Sequence, residues 1–200
     1  PQCPALHGLI RPGDRVMWGQ ANAEPLPLTQ ALMAQRQRIG RFEVLLGIAN
    51  SSTCTPQHAD CVTFSAYCGA GANRDLANAG LLDILPCHYS EMAERLADGR
   101  LRIDVLMLQV APADKQGRYS LSLACEYLLP ALGRARVVIA EVNQQAPRTH
   151  GQGWLTDSDL HAVLFTDHPP LSNAASRVRP ADQQIAEHIA DLIPDGATLQ

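Results

Sequence analysis

The chain has 200 residues, is 46% apolar and carries a formal net charge of −4. That length suffices for one domain with a real core, and the composition fits a soluble globular protein. No basic block supplies an electrostatic footprint for nucleic acid, no apolar run approaches the ~20 residues of a membrane span, and no signal-peptide layout opens the chain. The expected setting is cytoplasmic, with neither nucleic acid nor membrane as partner.

In chain order, the first strand candidate is Arg15–Trp18. The stretch after it, "GQANAEP", is rich in small residues (Gly19, Ala21, Ala23), which let a bulky ligand approach the backbone. Pro25 and Pro27 then lead into a helix over Pro27–Ile39, with Leu28, Ala31, Leu32 and Ile39 on one stripe. The free N–H groups of that helix start could stabilise an anion or oxyanion; a plain strand-to-helix turn explains the same residues. Strands follow at Glu43–Ile48 and Val62–Tyr67. After the second, "CGAGANR" places Gly69-Ala70-Gly71 before a helix, but Arg74 stands where a dinucleotide loop needs its third glycine, so NAD binding is rejected. Arg74 is left either to contact an anion or to form a surface ion pair.

Leu81–Leu85 is the fourth strand, and Ser90 is placed to cap a helix over Glu91–Asp98 closed by Gly99. Val105–Val110 is a continuous apolar strand that leaves through Pro112 and Asp114 and turns at Gly117. The clearest strand is Arg136–Val142, within "ARVVIAEV". It carries Glu141, a nucleophile or base by position and equally an ion-pair partner for a neighbouring arginine, with no second carboxylate at a helpful spacing. Beyond it, Arg148, Thr149 and His150 sit past a strand's carboxyl end, where they could bind an anion or simply form a solvated loop. A last strand at His161–Phe165 precedes a helix over Pro180–Ile193 with Pro in its first turn. Near-continuous apolar strands alternating with helices predict an α/β fold: a Rossmann-like open, mostly parallel sheet flanked by helices.

Six cysteines form no CxxC pair; Cys54, Cys61 and Cys68 recur every seven residues with His58 among them. Zinc sites favour tighter ligand pairs, so reduced thiols are expected and no metal site is assigned. There is no GxSxG and no phosphate-binding P-loop. "LIRPGDRV" (Leu9 to Val16) is echoed by "LIPDGATL" (Leu192 to Leu199), as the start of a second, similar domain would be.

Together "IRPGDRVMWGQANAEPLPLTQAL", "YCGAGANRDLANAGLLDILPCHYSEM", "IDVLMLQVAPADKQGRYSLS" and "ARVVIAEVNQQAPRTHG" resemble the N-terminal half of the acetyl-CoA hydrolase/CoA-transferase family, in its 4-hydroxybutyrate and butyrate CoA-transferase branch. The pieces stand in family order and cover most of Leu9 to Gln200; Ser122 departs from the family's usual glycine. The resemblance implies an N-terminal α/β domain over 1–178, then a linker helix and the first strand of a C-terminal domain over 179–200. It implies an enzyme that moves CoA between short-chain carboxylic acids through a glutamyl-CoA intermediate. The nucleophilic glutamate would lie beyond residue 200, so no catalytic residue is assigned here and the fragment alone is expected to be inactive. Gln20, Ala21, Asn22, Glu24, Arg148, Thr149 and His150 would form the N-terminal wall of the substrate pocket. No cofactor is held permanently; coenzyme A or acyl-CoA is a substrate. The expected partners are acyl-CoA, a short-chain carboxylate, the chain's own C-terminal domain and a second copy in a homo-oligomer. An acyl-CoA hydrolase of the same family and a non-catalytic binding module are the alternatives.

Overall fold

The computed structural model describes residues 4–151, 153–173 and 177–199. Seven strands form one sheet: β1 (Arg15–Trp18), β2 (Phe42–Leu46), β3 (Val62–Ala66), β4 (Leu82–Ile84), β5 (Val105–Val110), β6 (Val137–Asn143) and β7 (Ala162–Thr166). They lie in the order β4-β3-β2-β1-β5-β6-β7, and every neighbouring pair is parallel. The expected parallel α/β sheet is therefore present. All six residues of β5 and all seven of β6 are buried, which is why these strands read as unbroken apolar runs.

Side chains alternate between two faces. On one, Val16, Trp18, Val44, Leu46, Phe64, Met107 and Ile139 pack beneath Leu28, Leu32, Met33 and Ile39 of helix α1 (Leu26–Ile39). On the other, Met17, Leu45, Leu106, Leu108, Val138 and Ala140 meet Met92 and Leu96 of α3 (Glu91–Ala97) and Leu128 and Ala131 of α4 (Leu128–Leu132). The short α2 (Arg74–Asn78) follows β3. Truncating one of these buried leucines or methionines costs about 2–5 kcal/mol.

Three local expectations are corrected. Ser90 has no capping bond to the helix; its hydroxyl pairs instead with His88 Nδ1 at 2.8 Å, although Gly99 does adopt the left-handed φ of +83° that a helix stop requires. The helix over 180–193 is shorter, α5 spanning Pro180–Ala190. The turn at Pro194–Ala197 closes with Ala197 N–H donating to the Pro194 carbonyl at 3.2 Å, but no strand forms over Ala197–Leu199. A strand needs a hydrogen-bonded neighbour, and none of the described strands lies beside it. Helix α5 has no buried residue, and Ile185, Ile189 and Leu192 are all exposed.

Candidate functional site

The chain leaves β1 toward β2 on one side and later returns to β5 on the other, so β1 and β5 are adjacent at the sheet's switch point. In open α/β sheets ligands bind beyond the strands' carboxyl ends at that point. The loop after β1 stands there. Ala21 has φ +52°, a left-handed backbone that a Cβ disfavours; its N–H donates to the Ile48 carbonyl at 2.7 Å, anchoring the loop to the end of β2. Gly47 at that end is obligatory, since a Cβ would strike the Gln20 side chain and the Tyr127 hydroxyl.

The Gln20 amide has one permitted orientation. Its Oε1 accepts from Ile48 N–H at 3.0 Å and from the Tyr67 hydroxyl at 2.7 Å. Its Nε2 therefore points the other way, donating to both carboxylate oxygens of Glu126 at 3.0 Å. Glu126 is itself strained, at φ +34°. The rings of Tyr67, Tyr89 and Tyr127 stack edge-on at 5.4 and 5.9 Å around this group. Burial, then the Glu126 charge, pushes the Tyr89 hydroxyl up to about 12, and burial raises Tyr67 as well. Both stay neutral hydrogen-bonding groups near neutral pH. Asn22 follows in the same loop, its Oδ1 accepting from Asn50 Nδ2 at 2.8 Å.

Glu24 departs from the expectation that it faces the crevice. It is buried, its two carboxylate oxygens accepting from the Thr29 hydroxyl at 2.7 Å and the Ser51 hydroxyl at 2.6 Å. It thus ties the first turn of α1 to the loop after β2. Cys54 lies beside it, its thiol pushed up by burial and by the Glu24 charge. His58 Nδ1 accepts from Thr55 N–H at 3.2 Å, capping a 3₁₀ turn over Pro56–Asp60. No cluster of three metal-binding side chains occurs among the described residues.

The loop after β6 is engaged with its own neighbourhood. Arg148 donates to Asp114 at 2.7 Å and lies 4.7 Å over the Trp154 ring; Arg118 shares both partners, at 2.8 and 5.1 Å. Burial opposes ionisation of Asp114, but the Arg118 guanidinium and the backbone N–H groups of Arg118 and Gln116 outweigh it and hold the carboxyl down at about 2. Thr149 donates its hydroxyl to the Ser122 carbonyl at 3.0 Å. Of the predicted trio, Thr149 and His150 line a cavity of about 70 Å³ shared with Ser120, Ser122, Cys125 and Trp154. The structure thus does not join the two predicted halves directly. Both lean on the segment 120–127, through Glu126 on one side and Ser120 and Ser122 on the other.

Ser122 has φ +57°, a conformation glycine adopts without strain, and its hydroxyl donates to the Pro147 carbonyl at 2.7 Å. Glu141 is fully buried, and its partner is no arginine: Oε1 accepts from the Thr166 hydroxyl at 2.6 Å and pairs with His168 Nε2 at 2.7 Å. Arg74 is exposed and forms no ion pair among the described residues. Sequence reasoning missed Tyr67, Tyr89, Glu126 and His168. Only His168 carried a signal, a histidine before Pro-Pro at a strand end.

A parallel doubly wound sheet whose switch-point loop carries Gln20, Asn22 and the buried Glu24 is an α/β domain of the class that binds ligands beyond its strand ends. Its family follows from comparison with known proteins: residues 4–170 match the acetyl-CoA hydrolase/transferase N-terminal domain, and the chain belongs to that family. It is 32% identical over 189 residues to the 4-hydroxybutyrate coenzyme A transferase of Clostridium kluyveri, covering 94% of this chain and 44% of that protein. It is 26% identical over 199 residues to the butyryl-CoA:acetate CoA-transferase of Anaerostipes caccae, covering 96% and 45%. Among solved structures, RipA from Yersinia pestis superposes with a TM-score of 0.87 at 25% identity, covering 96% of this chain and 47% of that one. The 4-hydroxybutyrate CoA-transferase from Porphyromonas gingivalis gives 0.69 at 27%, covering 98% and 46%. The chain spans a little under half the length of these relatives.

Proposed function

We propose that the chain is the N-terminal domain of a CoA-transferase that moves CoA between short-chain carboxylic acids of the acetate, butyrate and 4-hydroxybutyrate type. The observation that carries this reading is the family match over 4–170, together with CoA-transferase relatives aligned along nearly the whole chain. The nucleophile is a glutamate beyond residue 200. Its carboxylate attacks the thioester carbonyl, and as the C–S bond breaks CoA leaves as thiolate, giving an acyl-glutamyl anhydride. The thiolate then attacks the glutamyl carbonyl and expels the first carboxylate, leaving a glutamyl-CoA thioester that the second acid reverses. Covalent capture conserves the thioester's energy while the acids exchange.

The geometry supports placing the nucleophile outside these residues. Glu24 and Glu141 are buried in hydroxyl and imidazole contacts, and Glu126 is committed to Gln20. Gln20, Ala21 and Asn22 form the pocket wall in this reading, with Glu24 bracing it from behind. The same reading takes 1–178 as the domain and 179–200 as a linker, with the exposed apolar stripe of α5 meeting a C-terminal domain. Coenzyme A enters as substrate, and the setting is cytoplasmic. An acyl-CoA hydrolase is the second reading, because the matched family spans both reactions. Assaying the full-length protein with acetyl-CoA, with and without butyrate, separates them. Butyryl-CoA formation is expected; hydrolysis that persists without transfer overturns the transferase reading.

A further inference from the structure

His168 lies just past β7 and touches two acceptors. Its Nδ1 is 2.9 Å from the Pro169 carbonyl, and its Nε2 is 2.7 Å from Glu141 Oε1, which also accepts from the Thr166 hydroxyl. Both oxygens are served as acceptors only by the doubly protonated, positively charged ring, which donates at each nitrogen. Its backbone N–H also donates to Asn143 Oδ1 at 3.3 Å. His168 therefore covers the buried polar row at the carboxyl end of β6. Five residues on, Asn173 Oδ1 accepts at 2.7 Å from Asn50 Nδ2, the group that also donates to Asn22 in the cleft wall.

The sheet order fixes what lies between those ends. From β6, where His168 is seated, the strap passes β5 and β1 to reach the loop after β2. Three strand spacings of ~4.8 Å come to roughly 14 Å. Five residue steps through Pro169-Pro170, at ~3.1 Å each in extended proline-rich chain, reach roughly 16 Å. An extended strap of that reach spans the gap with little slack, which would couple movement at His168 to Asn173.

We propose that doubly protonated His168, held by Glu141, latches residues 168–173 across the carboxyl ends of β6, β5 and β1, and is thereby a positioning residue for Asn50 and Asn22. Beneath the strap, Glu141 Oε2, Asn143 Nδ2 and Gln109 Oε1 are buried without a protein partner among the described residues. Opening would hydrate these groups, so the closed strap depends on its latch. The charged and titratable groups facing His168 are Glu141 on β6 and Asp167 beside it. Burial works against the charged ring, but the Pro169 carbonyl, Glu141 and Asp167 outweigh it and raise its pKa above the usual histidine value. The latch is thus complete below the ordinary histidine pKa and is lost as pH rises through the raised one.

The latch itself is tested without activity. Histidine-selective NMR of the full-length protein, assigned with His168→Gln, is expected to show His168 titrating above the ordinary value and falling back in Glu141→Gln. Amide exchange at Leu171–Asn173, corrected for intrinsic pH dependence, is expected to accelerate in the wild type as His168 deprotonates and to lose that dependence in His168→Gln. A His168 that titrates at or below the ordinary value, or exchange that ignores its titration, overturns the latch. Its role in positioning rests on the transferase reading. In an active full-length enzyme, KM for acyl-CoA should rise roughly fivefold across the same titration with less change in kcat, and a flat KM overturns that role. Absence of all transferase activity in the wild type would instead count against the transferase reading and leave the NMR and exchange results standing.

Discussion

The loops after β1 and β6 both leave the carboxyl edge of the sheet, and both drew notice as pocket walls. They differ in what their polar groups are committed to. After β1, Gln20 pins that loop at the switch point: Ile48 N–H and Tyr67 fix its carbonyl, and Glu126 and the Tyr89 hydroxyl take its amide. After β6, Arg148 is spent on Asp114 and Trp154. An arginine past a strand end is an anion site only if no carboxylate of its own chain has already taken it, and Asp114 has. In the proposed function the first loop is the wall that meets the ligand, whereas Arg148 of the second is a buttress, bracing the segment 112–118 through Asp114.

The comparison breaks most visibly at Gly47. A valine there would drive its side chain into Gln20 and the Tyr127 hydroxyl, and overpacking of that kind costs about 3 kcal/mol. Urea unfolding of the full-length protein should show this loss, together with loss of transferase activity. Gln20→Leu comes next. It strands the Ile48 N–H and the Tyr67 hydroxyl without their acceptor, for about 2 kcal/mol. It should also raise KM for acyl-CoA, because the wall itself is altered. Arg148→Met should cost about 1 kcal/mol through the lost ion pair and ring contact, with KM unchanged. If Arg148→Met raised KM as much as Gln20→Leu, the division into wall and buttress would be wrong.

Acid separates the two loops as well. Asp114 is held at about 2, well below an ordinary carboxylate. A depressed pKa means that its contribution to stability is present above the ordinary value near 3.8 and is lost as pH falls toward 2. The Tm of the wild type should therefore drop over that window, and Asp114→Asn should remove that part of the dependence. An Asp114→Asn protein with the same acid profile as the wild type would show that the buttress draws nothing from this charge.

How much of this was legible in the sequence follows from the range of each interaction. Strands buried on both faces declare themselves locally: Arg15–Trp18 and Val105–Val110 are where the apolar runs place them, and other strand ends differ by one or two residues. The strand expected over Glu43–Ile48 stops at Leu46 because the Ile48 N–H is taken by Gln20 rather than by a neighbouring strand. Helix α4 escaped notice because it is five residues long with Pro130 inside it. The site was harder to read, since its partners are far apart in the chain. Gln20 meets Glu126 across 106 residues and Arg148 meets Asp114 across 34. Composition and spacing could nominate Gln20 and Arg148 alike, and only the folded chain shows that Arg148 is held by Asp114.

The smallest expected effect lies where the two loops meet. Ser122 holds a left-handed backbone that costs an L-residue about 1–2 kcal/mol, and its hydroxyl recovers part of that through the Pro147 carbonyl. Ser122→Gly removes the strain and the hydrogen bond together, so its net change should stay within about 0.5 kcal/mol. Ser122→Ala keeps the strain and loses the bond, and should cost about 1 kcal/mol. Denaturant midpoints of the two variants test this directly. If alanine were tolerated as well as the native serine, the Ser122–Pro147 bond would contribute nothing, and the loop after β6 would rest on Thr149 and Arg148 alone.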